Sequence, residues 1–186
     1  MSDHNVSGQA YGFLAMTPIR PGQEGPLRAY LDGLHARGER PFERVSGTHM
    51  ARWVILEDFV DRRHYRQRDP DHLAGPLLLF SANLDGELDA YLDRMAMALV
   101  AESAEVWGRC IGCPDPLTVT GLTGYLKDHQ VETGFFYAAY GGATVEQVRT
   151  ALSRRERLAA FAIANQGADP TTLHRAFLAE FGALDG

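Results

Sequence analysis

A histidine and an arginine stand three positions apart, His49 and Arg52, inside an otherwise apolar run, Gly47-Thr-His-Met-Ala-Arg-Trp-Val-Ile-Leu56. A second apolar run, Gly75-Pro-Leu-Leu-Leu-Phe-Ser-Ala-Asn-Leu-Asp-Gly86, ends in Ser81, Asn83 and Asp85. An imidazole can move a proton near neutral pH, and a guanidinium or phenol can stabilise an oxyanion. If the two runs are paired strands, their polar ends converge, and Tyr137 and Tyr140 of a later aromatic run add further hydrogen-bonding groups. This set predicts acid-base chemistry on a small molecule, with His49 as general base and Arg52 or Tyr137 as the oxyanion partner. Trp53, Asn83, Phe135 and Tyr140 would line the binding surface. Each has a plainer reading: His49 as a strand-end residue bonded to backbone, Arg52 as one half of an ion pair, and Asp85 as a helix N-cap.

Those residues need elements to hold them. Ala10–Thr17 reads as a strand, followed by the breakers of Pro-Ile-Arg-Pro-Gly and a helix from about Gly22 to Arg37, with Leu27, Tyr30, Leu31 and Leu34 at helical spacing. The two apolar runs are the next strands. The arginine-rich stretch between them, DRRHYRQRDPD from Asp61 to Asp71, is long for a hairpin and reads as a self-paired solvated loop, a lid or an insertion. Asn83 or Asp85 then precedes a helix carrying Leu88, Tyr91, Leu92, Met95 and Leu99 on one face. One or two helical pieces fill 101–130. The aromatic run Thr133–Tyr140 reads as a fourth strand, Thr144 and Gln147 as a capping box for a helix to about Ile163, and Pro170 as the start of a last helix.

The expected fold is α+β: a ferredoxin-like βαββαβ order with an antiparallel four-stranded sheet and inserted and C-terminal extra helices. Residues 1–186 are expected to form a single domain, with a flexible N-terminus at 1–9 and an appended C-terminal helix within 165–186. Strand alternation would set His49, Ala51, Trp53 and Ile55 on one face and Met50, Arg52, Val54 and Leu56 on the other.

Composition narrows the function classes. With 186 residues, 45% hydrophobic, the chain can bury one sizeable core. A net charge of −6 argues against a general nucleic-acid-binding surface. No apolar run approaches the roughly 20 residues that span a bilayer, and the start lacks the form of a signal peptide, so a cytoplasmic location without membrane attachment is expected. A single lysine, Lys127, stands against 17 arginines, which leaves Schiff-base chemistry one candidate. Cys110-Ile-Gly-Cys113 follows a helical stretch rather than opening one, and no second cysteine pair exists to complete a zinc site. These thiols are expected to be buried and inert, with no metal bound.

The segments MTPIRPGQEGPLRAYL, GTHMARWVILED, LLLFSANLDGELDAYL and RCIGCP resemble an uncharacterised group of bacterial proteins in the dimeric α+β-barrel, ferredoxin-like superfamily. That superfamily includes antibiotic-biosynthesis monooxygenases, chlorite-dismutase-like proteins and dye-decolourising peroxidases. The resemblance implies a homodimer and a small-molecule enzyme, with oxygenase or oxidoreductase chemistry on an aromatic or polyketide-like substrate. The alternative is a non-catalytic small-molecule-binding or assembly protein of the same fold. Haem is implied only by the peroxidase branch. Its GxxDG motif is matched in part by Ala82-Asn-Leu-Asp-Gly86, where Asp85 would act beside the haem and His49 or His129 would be the iron ligand.

Overall fold

The computed structural model describes residues 3–58 and 72–182. The stretch at 61–71 lies outside the described residues. Two compact units divide the chain, Met1–Val145 and Glu146–Gly186.

The first unit is built on four antiparallel strands, β1 (Val6–Ser7), β2 (Ala10–Pro18), β3 (Thr48–Leu56) and β4 (Leu77–Asp85), in the order β1-β2-β4-β3. The helix α1 (Glu24–Ala36) connects β2 to β3, and α2 (Leu88–Ala98) follows β4. After it come α3 (Val100–Val106), a 3-10 turn at Trp107–Arg109 and α4 (Val119–Asp128). Alternation along β4 is strict: Leu78, Phe80, Ala82 and Leu84 are buried, while Leu77, Leu79, Ser81, Asn83 and Asp85 lie on the other, more open face. The helices cover the first face. Leu88, Tyr91, Leu92 and Met95 of α2, with the adjoining Leu99, supply much of the core against it. Phe80 sits at the centre, its ring in contact with those of Phe13, Phe42, Trp53 and Trp107.

Two expectations are corrected. Thr133–Tyr140 is not a strand. Its backbone hydrogen bonds leave the ladder: Thr133 N–H goes to Asn5 Oδ1 and Ala138 N–H to Ser7 Oγ, while the carbonyls of Ala138 and Tyr140 accept turn bonds from Gly141 and Ala143. The slot beside β2 is filled instead by β1, which pairs with Ala10 and Tyr11, and by single bridges from Gln130 to Ala15 and from Cys110 to Ile19. Residues 3–9, read as a flexible start, hold the buried Asn5 and the hairpin strand β1. That hairpin turns at Gly8, whose φ of 66° suits the first position of a two-residue loop. A Cβ there would come within 2.2 Å of the Gly141 carbonyl oxygen, so glycine also lets the 133–141 segment lie against the turn.

The second unit pairs α5 (Val145–Ala164), whose first residue belongs to the first unit, with α6 (Pro170–Phe181). Asp169 caps α6 by accepting the N–H groups of Thr171 and Thr172. Phe161 meets Phe177 and Phe181, and Arg157 bonds Glu180.

Candidate functional site

A further correction concerns what β3 shows to each side. The register Thr48↔Leu84 is followed by Met50↔Asn83, so β3 carries a bulge at His49. Thr48 points to the helices, where its hydroxyl donates to the Val45 carbonyl and lies 2.9 Å from the Tyr91 hydroxyl. With the threonine proton so engaged, Tyr91 is the donor of that second bond. Burial raises the Tyr91 pKa and keeps its proton in place. Beyond the bulge, Met50, Arg52 and Val54 pair with Asn83, Ser81 and Leu79 on the open face, while Ala51, Trp53 and Ile55 pair with Ala82, Phe80 and Leu78 on the helix face.

His49 is therefore released from the face of Ala51 and Trp53. Its Nε2 lies 2.6 Å from Oδ1 of Asp85, an open-face residue of β4. Simple alternation would have set His49 and Arg52 on opposite sides; the extra residue brings them to the same one. Gly47, at φ 80°, starts the distortion, and its carbonyl accepts the Asp85 N–H.

Asp85 does not cap α2, whose N-cap Glu87 makes no side-chain bond to the helix. Its second oxygen, Oδ2, accepts the backbone N–H of Val145, where α5 begins. Both carboxylate oxygens are thus engaged, and the side chains of His49 and Asp85 keep only 24% and 16% of their surface exposed. A carboxylate accepts only, so Nε2 carries the hydrogen and the neutral imidazole presents Nδ1 as its acceptor.

Beside this pair, Met50, Ala51, Arg52, Ser81 and Asn83 line an open depression of about 420 Å³. Arg52 is exposed and makes no ion pair among the described residues. At its β2 side, Gly12 faces Asn83 and carries the ring of Phe136, which occupies the space a Cβ would need.

The structure brings His49, Arg52, Asn83 and Asp85 to one face and leaves the other sequence candidates apart. Trp53 packs among Phe42, Phe80 and Trp107 on the helix side. Phe135, Tyr137 and Tyr140 are exposed, at 83%, 71% and 79%, in a segment that is not part of the sheet. Ser81, Met50 and Phe136 were not in the substrate-binding set. The parity of β4 carries the signal for Ser81, whereas nothing in the apolar spacing marks Phe136.

The porphyrin implied by the peroxidase branch does not fit this lining. It gives one open wall of mixed polar and apolar groups with no opposing face among the described residues, and the aspartate of the partial motif is committed to His49 and Val145. His129 bonds the Tyr125 carbonyl and packs on that ring. The thiols of Cys110 and Cys113 are free and buried, and no group of three or more ligating side chains suited to a metal occurs among the described residues. Comparison of the chain with protein-family models, with curated proteins and with solved structures returned no match.

Proposed function

We propose that the open sheet face around His49 and Arg52 is the site of a small-molecule enzyme of oxygenase or related oxidoreductase type. The observation that carries this reading is the 2.6 Å contact of His49 with Asp85 on the face that also holds Arg52 and Asn83. In it, Nδ1 of His49 takes a proton from an acidic C–H or O–H of the substrate. Asp85 orients the ring and stabilises the imidazolium that forms. Arg52 then stands beside the anion left on the substrate, an enolate or phenolate able to react with dioxygen, and Asn83 adds a hydrogen bond.

The class of chemistry comes from the resemblance to the dimeric α+β-barrel proteins. In support, β2-α1-β3-β4-α2 follows the first five elements of βαββαβ, and β4 lies between β2 and β3 as that topology requires. A homodimer belongs to the same reading, because Met50 and Val54 are exposed on the open face. The other reading, a binding protein without turnover, is favoured by the openness of the depression to solvent. Oxygen uptake measured with a panel of hydroxylated naphthalenes and enolisable diketones separates the two. Uptake with at least one member, lost in His49→Ala, is expected; binding without uptake across the panel leaves the binder.

A further inference from the structure

We propose that the depression at Arg52 selects small molecules that carry a carboxylate on an aromatic or aliphatic body. This deepens the site reading above and rests on it. Arg52 lies within β3 directly opposite Ser81, with Asn83 one pair along, so a guanidinium, a hydroxyl and an amide share one patch. Among the described residues the lining contains no acidic side chain. The nearest carboxylate by register, Asp85, has both oxygens occupied by His49 and Val145.

Six arginines, Arg28, Arg37, Arg40, Arg44, Arg109 and Arg157, each pair with a glutamate, and Arg52 is among those with no such partner among the described residues. What sets Arg52 apart is its place: among the described residues it is the arginine that lies within a strand, on the open face of the sheet. A planar guanidinium beside neutral donors is matched by a carboxylate, which accepts two parallel N–H bonds and leaves lone pairs for Ser81 and Asn83. The rest of the ligand is set by what flanks the patch. Met50, 67% exposed, lies between Arg52 and His49 along the same face. An apolar body lying along the strand from Arg52 would cover it, with His49 at its far end.

The test compares 2-naphthoate with its neutral analogue 2-naphthamide by calorimetry and by amide chemical shifts at Ser81 and Asn83. Wild-type protein should bind naphthoate at least tenfold more tightly, shift both amides, and lose that preference in Arg52→Gln while Arg52→Lys keeps part of it. Equal affinity for the two compounds with shifts at Ser81 and Asn83 overturns the carboxylate preference and leaves the site. Absence of shifts there with either compound overturns both the preference and the site. Light scattering on Arg52→Gln supplies the remaining arm: a change from dimer to monomer would assign the guanidinium to a subunit contact and reject the proposal.

Discussion

His49 reaches Asp85 because β3 carries one residue more than β4 opposite it. The 2.6 Å contact exists on the open face only because Thr48 is held on the other face by Tyr91 and Val45. One carboxylate thus joins a candidate base to the backbone N–H at which α5 starts.

The two residues should separate in mutants. His49→Ala leaves the bond from Val145 to Asp85 in place and should cost about 1 kcal/mol of stability, the value of one hydrogen bond. Turnover or ligand binding should fall at least tenfold, about 1.4 kcal/mol. Asp85→Ala removes the acceptor of both bonds and should cost at least about 2 kcal/mol. Urea unfolding of the two variants beside the wild type measures the difference, and equal losses would show that the Val145 bond contributes nothing.

The thiols should be inert at neutral pH. Burial pushes the Cys110 pKa up to about 11 from the ordinary 9, and burial also raises that of Cys113. Little thiolate is present at pH 8, so alkylation by iodoacetamide should be far slower than in the unfolded chain. The sign for stability follows: below pH 9 both folded and unfolded Cys110 are protonated and the contribution is complete. From 9 to about 11 the unfolded chain releases the proton first, and stability is lost as pH rises. Cys110→Ser with Cys113→Ser should fold and keep function, because a hydroxyl at 110 can use Thr17 and the Val106 carbonyl as the thiol does.

Two glycines should differ in what they tolerate. Alanine at Gly12 would meet the Phe136 ring at 2.8 Å, and a side chain can move aside at the 1–3 kcal/mol usual for overpacking, about 2 kcal/mol here. Alanine at Gly8 would meet the Gly141 backbone at 2.2 Å from a left-handed φ, and neither can yield cheaply. Gly8→Ala should therefore be the more destabilising by thermal unfolding. Gly12→Ala should instead expose 133–141 to proteolysis while the sheet persists.

The helices and the three long strands were legible because their apolar periods are strong. Leu27 and Leu34 of α1, and Leu88 to Leu99 of α2 and its end, all fall in the core as their spacing requires. Thr133–Tyr140 was misread for a physical reason. Aromatic density and flanking glycines describe a strand's side chains, but its ladder partner was already taken by β1 and Gln130. The bulge was beyond alternation altogether. Period two assigns His49 to the face of Trp53, and only the pairing of Met50 with Asn83, set by tertiary contacts of Thr48, reverses it. So the residue types of the site could be read from the chain, while the face they share could not.

The last prediction is that two copies of the chain associate through the open sheet face. Leu77, Leu79, Val54, Met50 and Leu56 all lie on it, and two of the five are more than 40% exposed. An apolar surface of this kind, rimmed by polar Arg52, Ser81 and Asn83, has the composition of an interface with a pocket at its margin. Light scattering at micromolar concentration should give twice the 20.5 kDa of the chain. Val54→Asp tests the face itself. Val54 sits opposite Leu79, away from the His49–Asp85 pair, and half-exposed in one chain, so an aspartate there should cost a lone subunit little. Between two subunits the same aspartate would be an unpaired buried charge, and the dimer should dissociate with the circular dichroism of the monomer retained. A wild-type mass of 20.5 kDa, or a Val54→Asp protein that stays dimeric, would place the contact elsewhere or remove it.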